Sequence, residues 1–391
     1  MKGKATVIGF GAMGSGIAEY LAISGFTVNI YEVSDGVYEN SIVNVNESLA
    51  KLSKKGILDL PPDKVVGRIV RLSTLDESVD KSELVIEAVN EEAELKLSII
   101  RQVSHSVSDD TLIVSNTSSI PISYLQQDVN KPDRVAGLHW FNPPVLMKLI
   151  EIVKGSQTSD KTVERLSSVV NRIGKEYIVA KKDVRGFIAN RVIRALRYHA
   201  FLLYFDRKYS AEQIDSTLMY KVGLPMGIFA LTDFTGGIKI ENDESITYDR
   251  MKNMFPEYEP SIGYDLLYRK VIQKMEPFVK EGKFGVRSGN GFYAYPLPGK
   301  WVKPDISKDA GKNIDPVEIL GPVYNEALFM IHNNICTIED IDRAMKLGFN
   351  WPIDLFEYFN SKVDKVNLLK TLNHFSTEYP DLENFYSYQG E

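Results

Sequence analysis

Only one cysteine, Cys336, occurs in the 391 residues. No internal disulfide can form, and a thiolate metal site would lack partners, so no metal is expected. Long apolar runs are also missing. None approaches the length needed to span a bilayer, and no membrane association is expected. A basic excess is lacking too. The net charge of −6 argues against a general nucleic-acid binder, so no nucleic acid is expected as a partner. Nor does the N-terminus, Met1-Lys2-Gly3-Lys4, leave room for a signal or transit peptide before the first apolar run, which points to a cytoplasmic protein. What is present is ordinary for a soluble globular chain: 44% apolar and 25% charged residues, at a length that calls for two or three domains.

Ala5-Thr6-Val7-Ile8-Gly9 reads as a short buried parallel strand, apolar on both faces. Gly9-Phe10-Gly11-Ala12-Met13-Gly14-Ser15-Gly16 follows at once, then an amphipathic helix, Ile17–Ile23, ended by Gly25, and a second strand, Phe26–Tyr31. Gly9, Gly11 and Gly14 thus form G-x-G-x-x-G between a strand and a helix. The first glycine permits a tight turn, the second lets a pyrophosphate approach the backbone, and the third lets helix and strand pack closely. The helix N-terminus then faces the phosphates. Glu32 ends the second strand eighteen residues beyond Gly14, where an acid binds an adenosine ribose diol. A further absence selects the cofactor: no Lys or Arg lies between Val33 and Asn40 to receive a 2′-phosphate, so NAD is favoured over NADP.

Val37–Lys55 has helical spacing and a basic end, Lys51, Lys54 and Lys55, which by itself reads as a solvated last turn complementing the dipole. A weak strand, Ile69–Leu72, and a clear one, Leu84–Val89, precede a helix, Glu92–Val103. The strand Thr111–Val114 then runs into Ser115-Asn116-Thr117-Ser118-Ser119, a polar cluster at the carboxyl end where open α/β sheets bind ligands. The next strand, Val135–Leu138, delivers His139, and Asn142-Pro143-Pro144 stops it. A second apolar run, Leu146–Val153, carries one acid, Glu151. Twelve residues separate it from His139, so the chain can turn at the prolines and bring the two together. A histidine with a returning carboxylate is the minimum equipment of an oriented general base. A partly buried strand-end histidine and an edge-strand glutamate is the bland alternative.

In the C-terminal half, Gly186–Asp206 reads as a long helix with Ile188, Val192, Leu196 and Leu203 near one face, and Val169–Lys182 as the segment leading into it. Comparing later segments at one constant offset exposes a repeat. Ser210-Ala-Glu-Gln-Ile-Asp215 aligns with Thr337-Ile-Glu-Asp-Ile-Asp342, and Pro225 and Phe229 fall on Pro352 and Phe356. Ser210 and Thr337 both read as helix N-caps. The expected organisation is an α/β Rossmann-type NAD-binding domain (1–182) followed by two all-α helical copies (183–295 and 317–391), with a linker at 296–316 rich in Pro, Lys, Gly and Asp.

Six short motifs stand in one order: Gly9-Phe-Gly-Ala-Met-Gly-Ser-Gly, Glu87-Ala-Val-Asn-Glu91, Ser115-Asn-Thr-Ser-Ser-Ile120, His139-Trp-Phe-Asn-Pro143, Gly186-Phe-Ile-Ala-Asn-Arg191 and Gly289-Asn-Gly-Phe-Tyr293. In these the chain resembles the L-3-hydroxyacyl-CoA dehydrogenase family (3-hydroxybutyryl-CoA dehydrogenase-like) along nearly its whole length. The resemblance implies a catalytic His139 oriented by Glu151, with Ser118 and Asn190 contacting an acyl-CoA thioester. It implies Glu91 and Lys96 near the nicotinamide, with Ala12, Met13, Asn116 and Ser118 also on the cofactor, and Ser48 and Lys55 where the family holds coenzyme A. Two departures stand out. Arg185 replaces a usual proline and is expected to be solvated rather than to reach a phosphate. Trp140 replaces a usual phenylalanine and is expected to narrow the acyl site. Larger relatives carry two packed helical domains where shorter ones dimerise, so a monomer with an internal pseudo-dimer is preferred to a homodimer. The second copy lacks the Gly186–Asn190 motif and should be structural. A dehydrogenase of a free hydroxy acid or sugar acid (gulonate-type), and a catalytically silent NAD-binding protein, are the competing readings.

Overall fold

Apolar runs of three to six residues, each closed by a glycine, a proline or a polar cluster, become the strands of one eight-stranded sheet. The computed structural model describes residues 3–390, apart from the side chains at 237 and 240–247. Its strands are β1 (Lys4–Ile8), β2 (Thr27–Tyr31), β3 (Ile69–Arg71), β4 (Leu84–Glu87), β5 (Leu112–Ser115), β6 (Val135–Trp140), β7 (Leu149–Val153) and β8 (Glu176–Ala180). Their order is β3-β2-β1-β4-β5-β6-β7-β8, and every pairing is parallel except β6 with β7. Every residue of β4 through β7 is buried, as expected of a sheet covered on both faces. The chain leaves β1 first toward β2 and later returns to pair β4 on its other side, so a crevice opens at the carboxyl ends where that order reverses.

Two helices border that crevice. The first, α1 (Ala12–Ile23), begins five residues before the expected Ile17, so Gly14 and Gly16 lie inside it. The second, α2 (Asp35–Lys54), is capped by Ser34, whose hydroxyl accepts from the Val37 N–H. Two strands differ from their sequence reading. The β7 strand starts only at Leu149, because the residues before it belong to the turn and Leu146 is 66% exposed. The β8 strand lies within the stretch read as a mere lead-in to the second half. It is an edge strand with only Ile178 and Ala180 buried, so its apolar alternation is too short to stand out.

The chain divides into two compact units, Met1–Asp183 and Val184–Glu391. Among the described residues of the second unit the regular elements are all helical, with isolated bridges at Gly285, Asn290 and Ala294. Helices begin at Ala189 and Pro316, at Ala211 and Ile338, and at Ile228 and Leu355, every pair separated by the offset of the sequence repeat. Ser210 with Gln213, and Thr337 with Asp340, form capping boxes. Asp215 accepts from the N–H groups of Phe229 and Ala230, and Asp342 from those of Leu355 and Phe356, at the same offset. Residues 296–315 contain no helix or strand but do not hang free. Ser216 donates to the Ser307 carbonyl, and Lys221 to those of Lys312 and Ile314.

Arg185 overturns its expectation. It is 2% exposed, not solvated. Its guanidinium lies 3.9 Å and 3.6 Å from the ring centroids of Tyr248 and Tyr268, and donates to the Tyr198 hydroxyl. Aromatic faces replace part of the lost hydration. The tyrosines come from distant positions of the same unit, so no local pattern could reveal the box. Among the described residues no helix is long and apolar enough to cross a membrane.

Candidate active site

The antiparallel register of β6 and β7 sets His139 directly opposite Glu151. Both are buried, and His139 Nδ1 lies 2.6 Å from Glu151 Oε2. Against an ionised carboxylate, which can only accept, a neutral imidazole would carry its proton on Nδ1 and its lone pair on Nε2. Alternation along β6 sends Trp140 to the opposite face from His139. Trp140 is 2% exposed and packs edge-on against Tyr20 of α1, with the Lys175 ammonium nearby. It therefore belongs to the core beneath α1, and the expectation that it narrows an acyl site is corrected. Phe141 is the aromatic residue against the imidazole, at 4.9 Å between ring centroids.

The turn after β5 is built around two acids and one lysine. Lys96 is 1% exposed; its Nζ donates to Glu87 Oε1 at 2.7 Å and lies 3.2 Å from Glu91 Oε2. Glu87 accepts from the Ser115 hydroxyl. Glu91 Oε1 gathers the Thr117 and Ser119 hydroxyls and the backbone N–H groups of Ser118 and Ser119. Asn116 ties this turn to the next strand by accepting from the Trp140 N–H at 2.9 Å. Burial pushes the Glu87 carboxyl up, with Lys96 and Ser115 offsetting only part of it. Burial acts on Glu91 in the same direction, but Lys96, Thr117 and Ser119 outweigh it and hold this carboxyl low. Lys96 would lose its proton more easily for being buried, yet its two carboxylates raise it. Lys96 is thus enclosed by protein groups and positions Ser118 through Glu91. Glu87 was not singled out from the sequence, although its nine-residue spacing from Lys96 was there to be read. Lys96→Met should lower unfolding stability by about 3–5 kcal/mol, since removing one partner leaves buried charge uncompensated. Urea denaturation checks this, and an unchanged midpoint would contradict the network.

At the other side of the crevice the three glycines meet different demands. Gly9 has φ +88°, and a Cβ there would lie 2.7 Å from the Ala88 carbonyl oxygen. A Cβ on Gly14 would collide with the Gly9 carbonyl, which is what the close packing of α1 on β1 requires. Gly11 differs. A Cβ there would meet nothing within 4 Å, so the protein leaves space beside the α1 N-terminus that a pyrophosphate can fill. Ala12 and Met13 form the first turn of α1 at that point. Glu32 is fixed by the N–H groups of Phe10 (2.8 Å) and Ser34 (2.9 Å), and each oxygen keeps capacity for a ribose hydroxyl. These residues fit NAD. Arg71 escaped the sequence window because it arrives from β3. Its guanidinium donates to the Glu32 carbonyl and pairs with Asp35 at 2.7 Å.

Ser48 and Lys55 do come together. With Lys51 they follow helical spacing along α2 and line a pocket of about 400 Å³. Gly16 and Glu19 of α1 and Pro144 of the β6–β7 turn form other walls. Lys175 holds that turn by donating to the carbonyls of Pro144 and Met147. Asn190 stands in the first turn of the helix Ala189–Phe205, in the second unit, after Gly186 and Phe187 at positive φ. Among the described residues no group of three or more His, Cys, Asp or Glu could hold a metal ion.

The family model described as "3-hydroxyacyl-CoA dehydrogenase, NAD binding domain" matches residues 4–184. The model for the C-terminal domain of the same family matches residues 186–295 and 317–381. The chain is 34% identical over 298 residues to the hydroxyacyl-coenzyme A dehydrogenase, mitochondrial, of Sus scrofa, covering 74% of this chain and 90% of that one. It is 32% identical over 290 residues to a probable 3-hydroxybutyryl-CoA dehydrogenase of Bacillus subtilis, covering 74% and 96%. Among solved structures, (S)-3-hydroxybutyryl-CoA dehydrogenase of Ralstonia eutropha is similar with a TM-score of 0.66 at 31% identity, covering 75% of this chain and 98% of its own. The 3-hydroxybutyryl-CoA dehydrogenase of Escherichia coli K12 shares the fold over 99% of this chain and 96% of its own, with a TM-score of 0.81 at 23% identity.

Proposed function

The chain belongs to the 3-hydroxyacyl-CoA dehydrogenase family, as an NAD-dependent oxidoreductase, and on that premise we propose that His139 is its general base and acid, oriented by Glu151. The observation that carries this reading is the 2.6 Å contact between His139 Nδ1 and a wholly buried carboxylate. Gly9, Gly11, Gly14 and Glu32 would hold NAD, which when bound would supply the hydride acceptor. The lone pair on His139 Nε2 takes the proton of the 3-hydroxyl as the ketone forms, and Glu151 stabilises the resulting imidazolium. In reduction the imidazolium returns that proton to the oxygen. Ser118, held at its turn by Glu91, and Asn190 hydrogen-bond the substrate and fix its orientation. Asn116 serves the cofactor side with Ser118, while Lys96 acts through Glu91.

The thioester handle is assigned to Ser48 and Lys55. The pocket they line supports this, since it adds the cation of Lys51 and lies beside the α1 N-terminus. The test is NADH oxidation with acetoacetyl-CoA, compared with free acetoacetate and with NADPH. Equal turnover of the free acid would favour the hydroxy-acid alternative. Lys55→Ala should raise KM for acetoacetyl-CoA about tenfold and leave that for NADH unchanged, as expected for one lost charge-assisted hydrogen bond. Steady-state kinetics decide it, and a rise in both constants would sink the assignment.

The second unit is read as two copies of one helical domain. Three helix starts and two aspartate-capped helices recurring at one offset support the duplication. Arg191, after Asn190, pairs with both Glu259 and Glu326, one from each side of the extended stretch. A monomer should therefore sediment as a single 44.1 kDa species, and a tight dimer would overturn the pseudo-dimer. A cytoplasmic location goes with this reading, supported by a single, buried thiol, Cys336, suited to a reducing compartment.

A further inference from the structure

One side chain of the α1–α2 pocket is not explained by folding. Glu19 shares a face of α1 with Ala12, Ser15 and Gly16, all four lining the pocket. It is only 3% exposed. Ser48 lies close enough to favour its ionised form, but Oε1 has no hydrogen-bond partner among the described residues. Buried polar atoms are nearly always satisfied, and an orphaned one lowers stability. A glutamine or leucine would fill the same volume without an ionisable group, so packing alone does not account for an acid here.

We propose that Glu19 is a specificity residue of this pocket, where its carboxyl hydrogen-bonds an amide of the pantetheine arm of a coenzyme A thioester. The assignment rests on the reading that the pocket takes the thioester handle. The charged groups facing the pocket beside Glu19 are Glu47 and Lys51 of α2 and Lys55 at its C-cap; the turn Asn142–Leu146 contributes none. Lys51 lies 3.7 Å from Glu47 and is exposed to solvent, where it can meet a phosphate. A phosphate at the buried end is disfavoured, because it would face the Glu19 carboxyl. Burial raises that carboxyl to about 7, with Ser48 offsetting part of the rise, so both its forms are populated at neutral pH. An amide suits both. Its carbonyl accepts from the protonated acid, and its N–H donates to the carboxylate. Pantetheine carries two such amides between the thioester and the phosphates, and Glu19 lies in a pocket whose basic residues come from the facing helix.

Glu19→Leu and Glu19→Gln test this with three substrates: acetoacetyl-CoA, acetoacetyl-pantetheine, and S-ethyl acetothioacetate, which has no amide. Glu19→Leu should raise KM about tenfold for the first two and leave it unchanged for the third, with kcat and KM for NADH near wild type. Glu19→Gln keeps a donor and an acceptor and should restore most of the affinity. An equal rise for the S-ethyl thioester would mean a general disturbance of the pocket and overturn the proposal. Unchanged KM values in a folded Glu19→Leu variant would overturn it alone. A wild-type enzyme that reduces free acetoacetate but neither coenzyme A nor pantetheine thioester would overturn the thioester reading of the pocket, and this assignment with it.

Discussion

His139→Gln is expected to lower kcat by about 10²–10⁴-fold while leaving NADH binding close to wild type. Glutamine can still hydrogen-bond Glu151, so the fold of the β6–β7 hairpin should survive. It cannot accept a proton at neutral pH, so the hydroxyl keeps its hydrogen and hydride departure becomes unfavourable. The dinucleotide side should be indifferent, because Gly9, Gly14 and Glu32 are set by β1, α1 and β2 and not by the imidazole. Fluorescence titration of NADH and single-turnover hydride transfer separate the two effects. Hydride transfer at the normal rate in this variant would remove His139 from the mechanism.

Glu151→Gln should be nearly as damaging, with a loss in kcat of about 10²–10⁴-fold, for a different reason. In the proposed mechanism the carboxylate has two tasks: to fix the proton on Nδ1 and to stabilise the imidazolium. A glutamine that turns its oxygen toward Nδ1 keeps the first task and loses the second. One that turns its NH₂ toward Nδ1 forces the proton onto Nε2, where the lone pair is needed. Both outcomes should appear as a lowered kcat with a changed pH–rate profile and little change in KM. An unaltered profile would count against the pairing. The variant also replaces a completely buried carboxylate with a neutral amide, so thermal unfolding should be measured alongside to separate chemistry from stability.

The sequence made the nucleotide end of this site legible because its requirements are local. A strand, three glycines at fixed spacing and an acid at the end of the next strand all lie between the N-terminus and Glu32. The His139–Glu151 pair was legible for a related reason: two prolines mark a reversal, and the two apolar runs around it are long enough to pair. What escaped was non-local or inconspicuous. Arg71 reaches Glu32 from a very short strand, and Tyr198, Tyr248 and Tyr268 come to Arg185 from separate places further along the chain. Trp140 adjoins His139 in sequence but not in the site, because alternation on β6 sends neighbouring side chains to opposite faces. Glu19 occupies a polar position of an amphipathic helix in the sequence, and its burial beside α2 and the Pro144 turn is non-local. Lys51 and Lys55 at the basic end of α2 line one pocket with that turn, a neighbourhood no local pattern could show.

The pairing of β6 with β7 has a consequence for how this enzyme can be altered. His139 and Glu151 are matched by ladder register, while the residues between the strands form an outside turn that lines the pocket. The two properties can therefore change independently. Lengthening or replacing residues 143–146 would reshape the pocket wall without altering which residue faces the imidazole. A single-residue insertion inside β7 would behave differently. It would rotate every following side chain to the other face of the sheet and, placed between Leu149 and Ile150, would set Ile150 opposite His139.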